Sequence, residues 1–348
     1  MNAAGTPPHP AGPPHPAGPT RRRLRSLVAL AVLGAALVVM PFAFGMFGKT
    51  PKGAVMIEQF KPFMTTSRLD GYQSDLKDIN AGVHQSGTRV AAYLGAHSPE
   101  GKSFDASYPS FAAFEGQWPG IDSKMTGLVD QVQGNLGNYL AVAALPSFRL
   151  FPWFFVIPGV IVLGFALASL LWPRRWSSAR WVFVVVGVGL IAAPGIFRMF
   201  QRAPAGGHMM TAFKTIETTE NVRQIQGFFI DMAEGQGAIR LEIVPKLESS
   251  GLTSAQIASE FPAVATLDAQ WVHILNDMTP MIGAMSDNVA NYQAIASLPP
   301  FPLFPWFFVL PGLIVVGLAI AGGSVRTGEN GQEEAEGSTP VPNYQGVT

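Results

Sequence analysis

The stretch LFPWFFV occupies residues 150–156, and the same seven letters return at residues 303–309, 153 positions later. The same offset, without a gap, pairs many other residues of the two halves. These pairs include Pro41 with Pro194, Phe44 with Phe197, Met46 with Met199, Gly53 with Gly206, Met56 with Met209, Lys61 with Lys214, Trp118 with Trp271, Met125 with Met278 and Tyr139 with Tyr292. A gapless register over half a chain indicates tandem duplication. The sequence therefore predicts two repeats of one fold.

The composition predicts a membrane protein. Of the 348 residues, 48% are hydrophobic and only 13% are charged, whereas about a quarter is charged in a typical soluble domain. Four apolar runs reach the roughly 20 residues that a bilayer requires, and no ionisable residue lies in the middle of any of them. The runs are Leu27–Phe47, Leu150–Trp172, Trp181–Met199 and Phe301–Ala321. We expect an all-α integral membrane protein with four transmembrane helices.

Arginines predict the orientation of these spans. Four arginines precede the first run and three fill the link between the second and third: Arg21, Arg22, Arg23, Arg25, Arg174, Arg175 and Arg180. Basic residues near span ends stay in the cytoplasm, so both termini are predicted to be cytoplasmic. The first run resembles a secretory signal, but its equivalent is internal and cannot be a cleaved leader. High alanine, glycine and proline content is typical of a GC-rich bacterial genome, which predicts a multi-pass plasma-membrane protein.

The domain organisation follows from these spans. Residues 7–18 contain PPHPAG twice and the C-terminal stretch is rich in glutamate, glycine and serine, compositions that do not form a packed core. The predicted order is a disordered cytoplasmic tail (1–23), repeat 1 (24–172, with an external helical domain at about 48–149), a cytoplasmic link (173–180), repeat 2 (181–323, with an external helical domain at about 200–300) and a disordered acidic cytoplasmic tail (324–348).

The external segments are predicted to be mainly helical. In the first, apolar residues recur every three or four positions, and their equivalents keep that face: Ile121, Met125, Val129, Val132, Leu136 and Tyr139, then Ile274, Met278, Ile282, Met285, Val289 and Tyr292. This period is typical of one buried helix face. Thr253 and Gln256 form the pattern of a capping box at a helix start. Because each external domain is small, we expect the two copies to pack against each other.

The repeated LFPWFFV motif predicts the start of the second span of each repeat. Pro152 and Pro305 occupy a position where a helix begins, since proline there loses no hydrogen bond. Trp153 and Trp306 then lie at the level of the outer headgroups, which favours indole side chains.

Two further prolines follow inside these spans, and the motif has two interpretations. Pro158 and Pro311 are expected to kink or widen the helix. Prolines and aromatic rings towards the outer leaflet could shape a cavity that admits lipid. The favoured interpretation is an aromatic belt with kinks, because such belts are general in membrane proteins.

Other candidate residues have both functional and structural interpretations. His208, Met209 and Met210 are soft enough ligands for Cu(I), but the methionines stand at apolar positions, where they commonly fill a core. Trp118 and Trp271 could form the floor of an apolar pocket, while a buried Trp in a small helical core is commoner. In both cases the structural interpretation is favoured.

Enzymatic chemistry finds no support in the sequence, and no cofactor is expected. The chain has no cysteine, its histidines occur singly, and no glycine-rich phosphate loop precedes a helix. The acidic residues of the first external segment sit among polar residues, so we interpret them as solvated: Asp70, Asp75, Asp78, Glu115 and Asp122. Zero net charge and the absence of a basic stripe argue against nucleic-acid binding.

Two functional hypotheses follow from this pattern. The first is a non-enzymatic cell-envelope subunit or scaffold that binds another envelope or membrane protein through its external helical domains. The alternative is a protein that binds or transports a lipid or hydrophobic solute at the outer leaflet. Membrane lipids are expected partners in both cases, and the halves could pair within one chain or in a homo-oligomer. An extracytoplasmic sensor is a third reading, which needs a separate cytoplasmic output partner.

Overall fold

The computed structural model describes residues 21–97, 101–172 and 176–322. Within these residues every regular element is a helix, which confirms the predicted all-α class. Residues 1–20 of the predicted first tail (1–23), the whole predicted second tail (324–348) and residues 173–175 of the predicted link lie outside the described residues.

Fifteen α-helices occur in the described part of the chain. The first half contains α1 (Arg21–Ala43), α2 (Met46–Phe60), α3 (Thr66–Gln85), α4 (Ala91–Ala96), α5 (Phe104–Ser107), α6 (Pro109–Gly134), α7 (Leu136–Ala143) and α8 (Trp153–Leu171). The second half contains α9 (Trp176–Ile196), α10 (Met199–Phe213), α11 (Thr219–Ala238), α12 (Val244–Ser249), α13 (Ser254–Glu260), α14 (Pro262–Ala296) and α15 (Phe304–Ala321).

The bounds of many of these elements differ by the same 153 residues that relate the two copies of LFPWFFV. This holds at both ends for α2 and α10, for α3 and α11, and for α4 and α12. It also holds for two π-helical segments, Ser86–Val90 and Ile239–Ile243, and for two 3₁₀ segments, Phe148–Leu150 and Phe301–Leu303. Positions 153 residues apart are called equivalent below.

Four helical stretches are long and apolar enough to cross a membrane. They are Arg21–Ala43, Phe148–Leu171, Trp176–Ile196 and Phe301–Ala321. The predicted ends of the first and third spans, at Phe47 and Met199, extend past a turn. The chain turns through left-handed backbone at Gly45 (φ 63°) and at its equivalent Arg198 (φ 52°). Hydropathy alone does not detect this turn, because apolar residues continue on both sides of it.

The described residues form two compact units. The span unit contains the described residues of 1–40, 155–193 and 308–348, and the large helical unit contains those of 41–154 and 194–307. In the span unit, α1 and α8 cross where Gly34 meets Gly159, and α9 and α15 cross where Gly187 meets Gly312. A Cβ at any of these four glycines would lie within 3.0 Å of a neighbouring helix. Small residues allow such close contacts between membrane helices.

A core of side chains fills the span unit. Phe155 and its equivalent Phe308 are both buried and their rings lie 4.7 Å apart. Further buried residues come from all four helices: Leu27, Leu30, Val162, Ala166, Trp176, Ala179, Phe183, Val315 and Ala319. Gly159 and Gly312, which follow Pro158 and Pro311 in the repeated motif, allow the helices of this unit to approach closely.

In the large helical unit, helices of one half pack against helices of the other. α2 packs on α14, α10 packs on α7, and α3 and α11 contact both long helices α6 and α14. Gly82 on α3 faces Leu267 of α14, and the equivalent Gly235 on α11 faces Phe114 of α6. The two halves therefore share one core, as expected from the small size of each external segment.

The predicted core face of the long helices is largely buried. Ile121, Met125, Val129 and their equivalents have no more than 6% of their surface exposed. In the first half the face is divided between α6 and α7, because the chain leaves helical backbone at Asn135. The predicted capping box is confirmed: Thr253 and Gln256 bond to each other's backbone at the start of α13.

Candidate functional site

A narrow cavity in the large helical unit is lined by both halves of the chain. Its ten lining residues form five equivalent pairs: Met56 with Met209, Ile57 with Met210, Phe60 with Phe213, Met64 with Glu217 and Tyr139 with Tyr292. We call it the central cavity. Measured as space open to the centre of a water molecule, it has about 30 Å³. That is room for roughly two water molecules or a bare ion.

Two tyrosines fix the walls of the central cavity. The Tyr139 hydroxyl donates to the Ile57 carbonyl oxygen at 2.7 Å, and the Tyr292 hydroxyl donates to the Met210 carbonyl oxygen at 2.5 Å. The first bond ties α7 to α2 and the second ties α14 to α10, so each bond joins two helices of the same half. Burial raises the pKa of Tyr139 to about 12, so its hydroxyl stays protonated and can donate at any ordinary pH.

Glu217 is the polar exception in this apolar lining. Only 2% of its surface is exposed, and neither carboxyl oxygen has a hydrogen-bond partner among the described residues. Burial raises the pKa of Glu217 to about 8, since removal from water disfavours the charged form. A buried, unpartnered carboxyl group costs free energy and requires an explanation.

The position of Glu217 in the chain explains its burial. Thr218 caps α11 by accepting a hydrogen bond from the Asn221 backbone N–H, so Glu217 is the residue before the N-cap. That position commonly holds an apolar residue, which packs back on the first turns of the helix. In the first half, Met64 occupies it before the Thr65 cap of α3 and is 5% exposed. Glu217 therefore stands at a buried position that is normally apolar.

Two larger clefts lie on the large helical unit at equivalent positions. The first cleft is lined by α2, α7 and the segment up to Phe148, and the second cleft is lined by α10, the end of α14 and the segment up to Pro302. By the same measure they have about 450 and 480 Å³, within the range of small-molecule sites. The walls are mainly apolar, and each cleft contains one exposed lysine, Lys61 or Lys214.

The two clefts differ in charge. Glu58 lines the first cleft, whereas the equivalent residue of the second cleft is Thr211. The second cleft also contains His208. Of the pair, the second cleft therefore has the more positive lining.

The repeated tryptophans sit at matched aromatic contacts in the large helical unit. Trp153 packs edge-on against Phe47 at 5.5 Å, and Trp306 packs edge-on against Phe200 at 5.7 Å. Both indoles are 48% exposed. Pro158 and Pro311 lie inside α8 and α15, next to the two glycines of the close helix crossings.

The remaining candidate residues are not brought together. Trp118 and Trp271 are buried and line neither the central cavity nor the clefts, and the Trp118 Nε1–H donates to Asn80 at 2.9 Å. His208 is exposed, whereas its neighbour Met209 is buried in the central cavity. His208, Met209 and Met210 thus divide between two different spaces.

One interpretation of the acidic residues is wrong. Asp75 was expected on a solvated face, but it is only 9% exposed and lies in the stripe of α3 that packs on the long helices. Burial, followed by the charge of Asp277, raises the pKa of Asp75. Sequence reasoning also missed Glu217, although its pairing with Met64 at the repeat offset was a usable signal.

Comparison with protein-family models, with curated proteins and with solved structures gave no match.

Proposed function

We propose that the protein is a non-enzymatic, multi-pass plasma-membrane protein that binds a lipid or similar amphiphile in the two clefts. The observation that supports this most is the pair of clefts itself. Mainly apolar walls with a single exposed lysine suit a ligand that has an apolar body and an anionic head. Two such clefts at equivalent positions fit a chain that arose by tandem duplication.

The clefts are close to the candidate spans along the chain. Each cleft ends on a segment that leads directly into a candidate span, at Phe148 and at Phe301. Exposed indoles follow at Trp153 and Trp306, and tryptophan favours the membrane–water interface. With the arginine-rich ends in the cytoplasm, both segments of the large helical unit, and the clefts in them, would be extracytoplasmic.

The charge difference predicts which cleft binds an anionic head group more tightly. A basic side chain near a membrane surface contributes about 1 kcal/mol to binding an anionic lipid. In the first cleft the Glu58 carboxylate opposes this contribution, while the second cleft has no carboxylate among its lining residues. We expect the second cleft, with Lys214, to dominate.

The test is lipid analysis of the full-length protein purified in mild detergent. We expect enrichment of one anionic lipid class relative to the host membrane, and a roughly fivefold loss of that enrichment in Lys214→Ala. Lys61→Ala should lose less, and Lys246→Ala, an exposed lysine outside both clefts, should lose nothing. Lipid content that matches the bulk membrane and is identical in all variants would rule out the clefts as lipid sites.

A second candidate function, a cell-envelope scaffold, is favoured by a separate observation. The second half of the large helical unit exposes Ile230, Leu241 and Val272, each by more than half of its surface. The equivalent residues of the first half are Lys77, Thr88 and Pro119. Exposed apolar side chains at these three positions, without apolar equivalents in the first half at two of them and with Pro119 at the third, suit a partner protein that binds the second half. Co-purification of a stoichiometric protein, lost on Leu241→Thr, would support this function.

A further inference from the structure

The central cavity gathers the right ligands for a soft metal ion. Four methionines line it, Met56, Met64, Met209 and Met210, together with the Glu217 carboxyl group. We propose that the central cavity is a binding site for a soft monovalent cation, Cu(I) or Ag(I), held by these thioethers and by Glu217. The site is separate from the proposed lipid function, although the cavity and the clefts share some wall residues.

The ligand types select a soft ion. Thioether sulfur is a soft, uncharged ligand and favours Cu(I), whereas hard cations such as Na⁺ or Mg²⁺ prefer oxygen ligands. Glu217 is the only acidic residue in the lining. Among the described residues, no three or more His, Cys, Asp or Glu side chains are placed so that they could hold a metal ion together.

The single carboxylate of the central cavity favours a monovalent cation. Both oxygens of Glu217 lack a partner within the described residues, and an ionised carboxylate in an apolar space is costly unless it is paired. A monovalent cation neutralises this carboxylate, while a divalent cation would leave an excess positive charge among thioethers. Phe60 and Phe213 also line the cavity, and aromatic rings attract cations.

The size of the cavity excludes bulkier ligands. A space of about 30 Å³ admits a bare ion or roughly two water molecules. A lipid or another organic molecule does not fit in this conformation. His208, which the sequence grouped with Met209, is exposed and takes no part in the proposed site.

The experiment is a calorimetric titration of the full-length protein with Ag⁺, in detergent and in chloride-free buffer. We expect one bound ion per chain, and weakening by at least about tenfold in Glu217→Gln and in the double variant Met56→Leu/Met209→Leu. The matched control is Met278→Leu, a buried core methionine that does not line the cavity. Its affinity should equal that of the unmodified protein.

The folding state of the variants requires a further check. Glu217→Gln keeps the side-chain shape, so it reports on the site even if the double methionine variant does not fold. Absence of Ag⁺ binding, or equal affinity in the unmodified protein and Glu217→Gln, would overturn the proposal. Neither result would affect the lipid test, which requires no metal.

Discussion

Glu217 carries the largest electrostatic consequence of any single residue described in this protein. Glu217 lies directly before the N-cap of α11 and is buried among apolar side chains. This burial stabilises the protonated form of the carboxyl group and raises its pKa from 4.5 to about 8. Tyr139 and Tyr292 line the same cavity, and burial raises the pKa of both above the ordinary value of 10. These tyrosines do not titrate near neutral pH, so Glu217 alone controls the pH response of the cavity.

The stability of the metal-free protein should therefore fall as pH rises. A folded-state pKa above the unfolded value means that the folded protein binds more protons between pH 4.5 and about 8. The contribution of Glu217 to the free energy of unfolding is fully present below pH 4.5, decreases as pH rises through the window, and is lost above about pH 8. The total is about 5 kcal/mol, at 1.36 kcal/mol per pKa unit.

Replacement of Glu217 by the methionine of the equivalent position tests this response. Glu217→Met should remove the decrease in stability with rising pH, so it should raise the melting temperature more at pH 9 than at pH 5. Glu234→Gln, at an exposed position on α11, should leave the pH profile unchanged. Melting curves from pH 4 to pH 9 measure both, and a profile of Glu217→Met that parallels the unmodified protein would contradict the assigned burial.

The acidic residues show why this part of the site could not be predicted from local sequence. Glu217 stands among threonines and a lysine, a context typical of a solvated turn. Its burial depends on the cap of the next helix and on packing from the other half of the chain. Asp75 is similar, because the contacts that bury it come from helices far away in sequence.

At the level of elements, the turn between the first two helices of each half repeats in shape but not in residue type. Gly45 and Arg198 occupy equivalent positions, and both have left-handed backbone. Glycine adopts this conformation freely, whereas a residue with a Cβ is strained there by about 1 kcal/mol. Arg198 is the only non-glycine residue with positive φ in the described chain.

Arg198→Gly should therefore stabilise the protein by up to about 0.5 kcal/mol, which is the strain of about 1 kcal/mol less the effect of the greater freedom of glycine in the unfolded chain. Gly45→Ala should destabilise it by a similar amount, because it introduces the same strain. Denaturation midpoints of the two variants in detergent measure these effects. Destabilisation by Arg198→Gly would mean that the arginine side chain contributes more than its backbone costs.

Elements were the most predictable part of the fold. The four apolar runs located the spans, and the spacing of Ile121, Met125 and Val129 located the buried face of a long helix. The span ends were less predictable, because the turns at Gly45 and Arg198 interrupt helices without interrupting the apolar sequence. The break at Asn135, which the second half lacks, was likewise not evident from periodicity.

For the whole molecule, we propose that two halves with the same fold enter the membrane in the same direction. The equal offsets of helices, π segments and glycine crossings support it, and so does the shared core of the large helical unit. The central cavity depends on this pairing, since it draws equal numbers of residues from both halves.

Cysteine labelling in intact cells tests this claim most directly, because the chain contains no cysteine of its own. Single cysteines would replace Ser67 and its equivalent Glu220, both exposed in the large helical unit, and the exposed Ser177 at the start of α9. With a membrane-impermeant maleimide, we expect labelling of Ser67→Cys and Glu220→Cys in intact cells, and of Ser177→Cys only after permeabilisation. Labelling of only one of the first two variants, or of Ser177→Cys in intact cells, would contradict the parallel arrangement of the two halves.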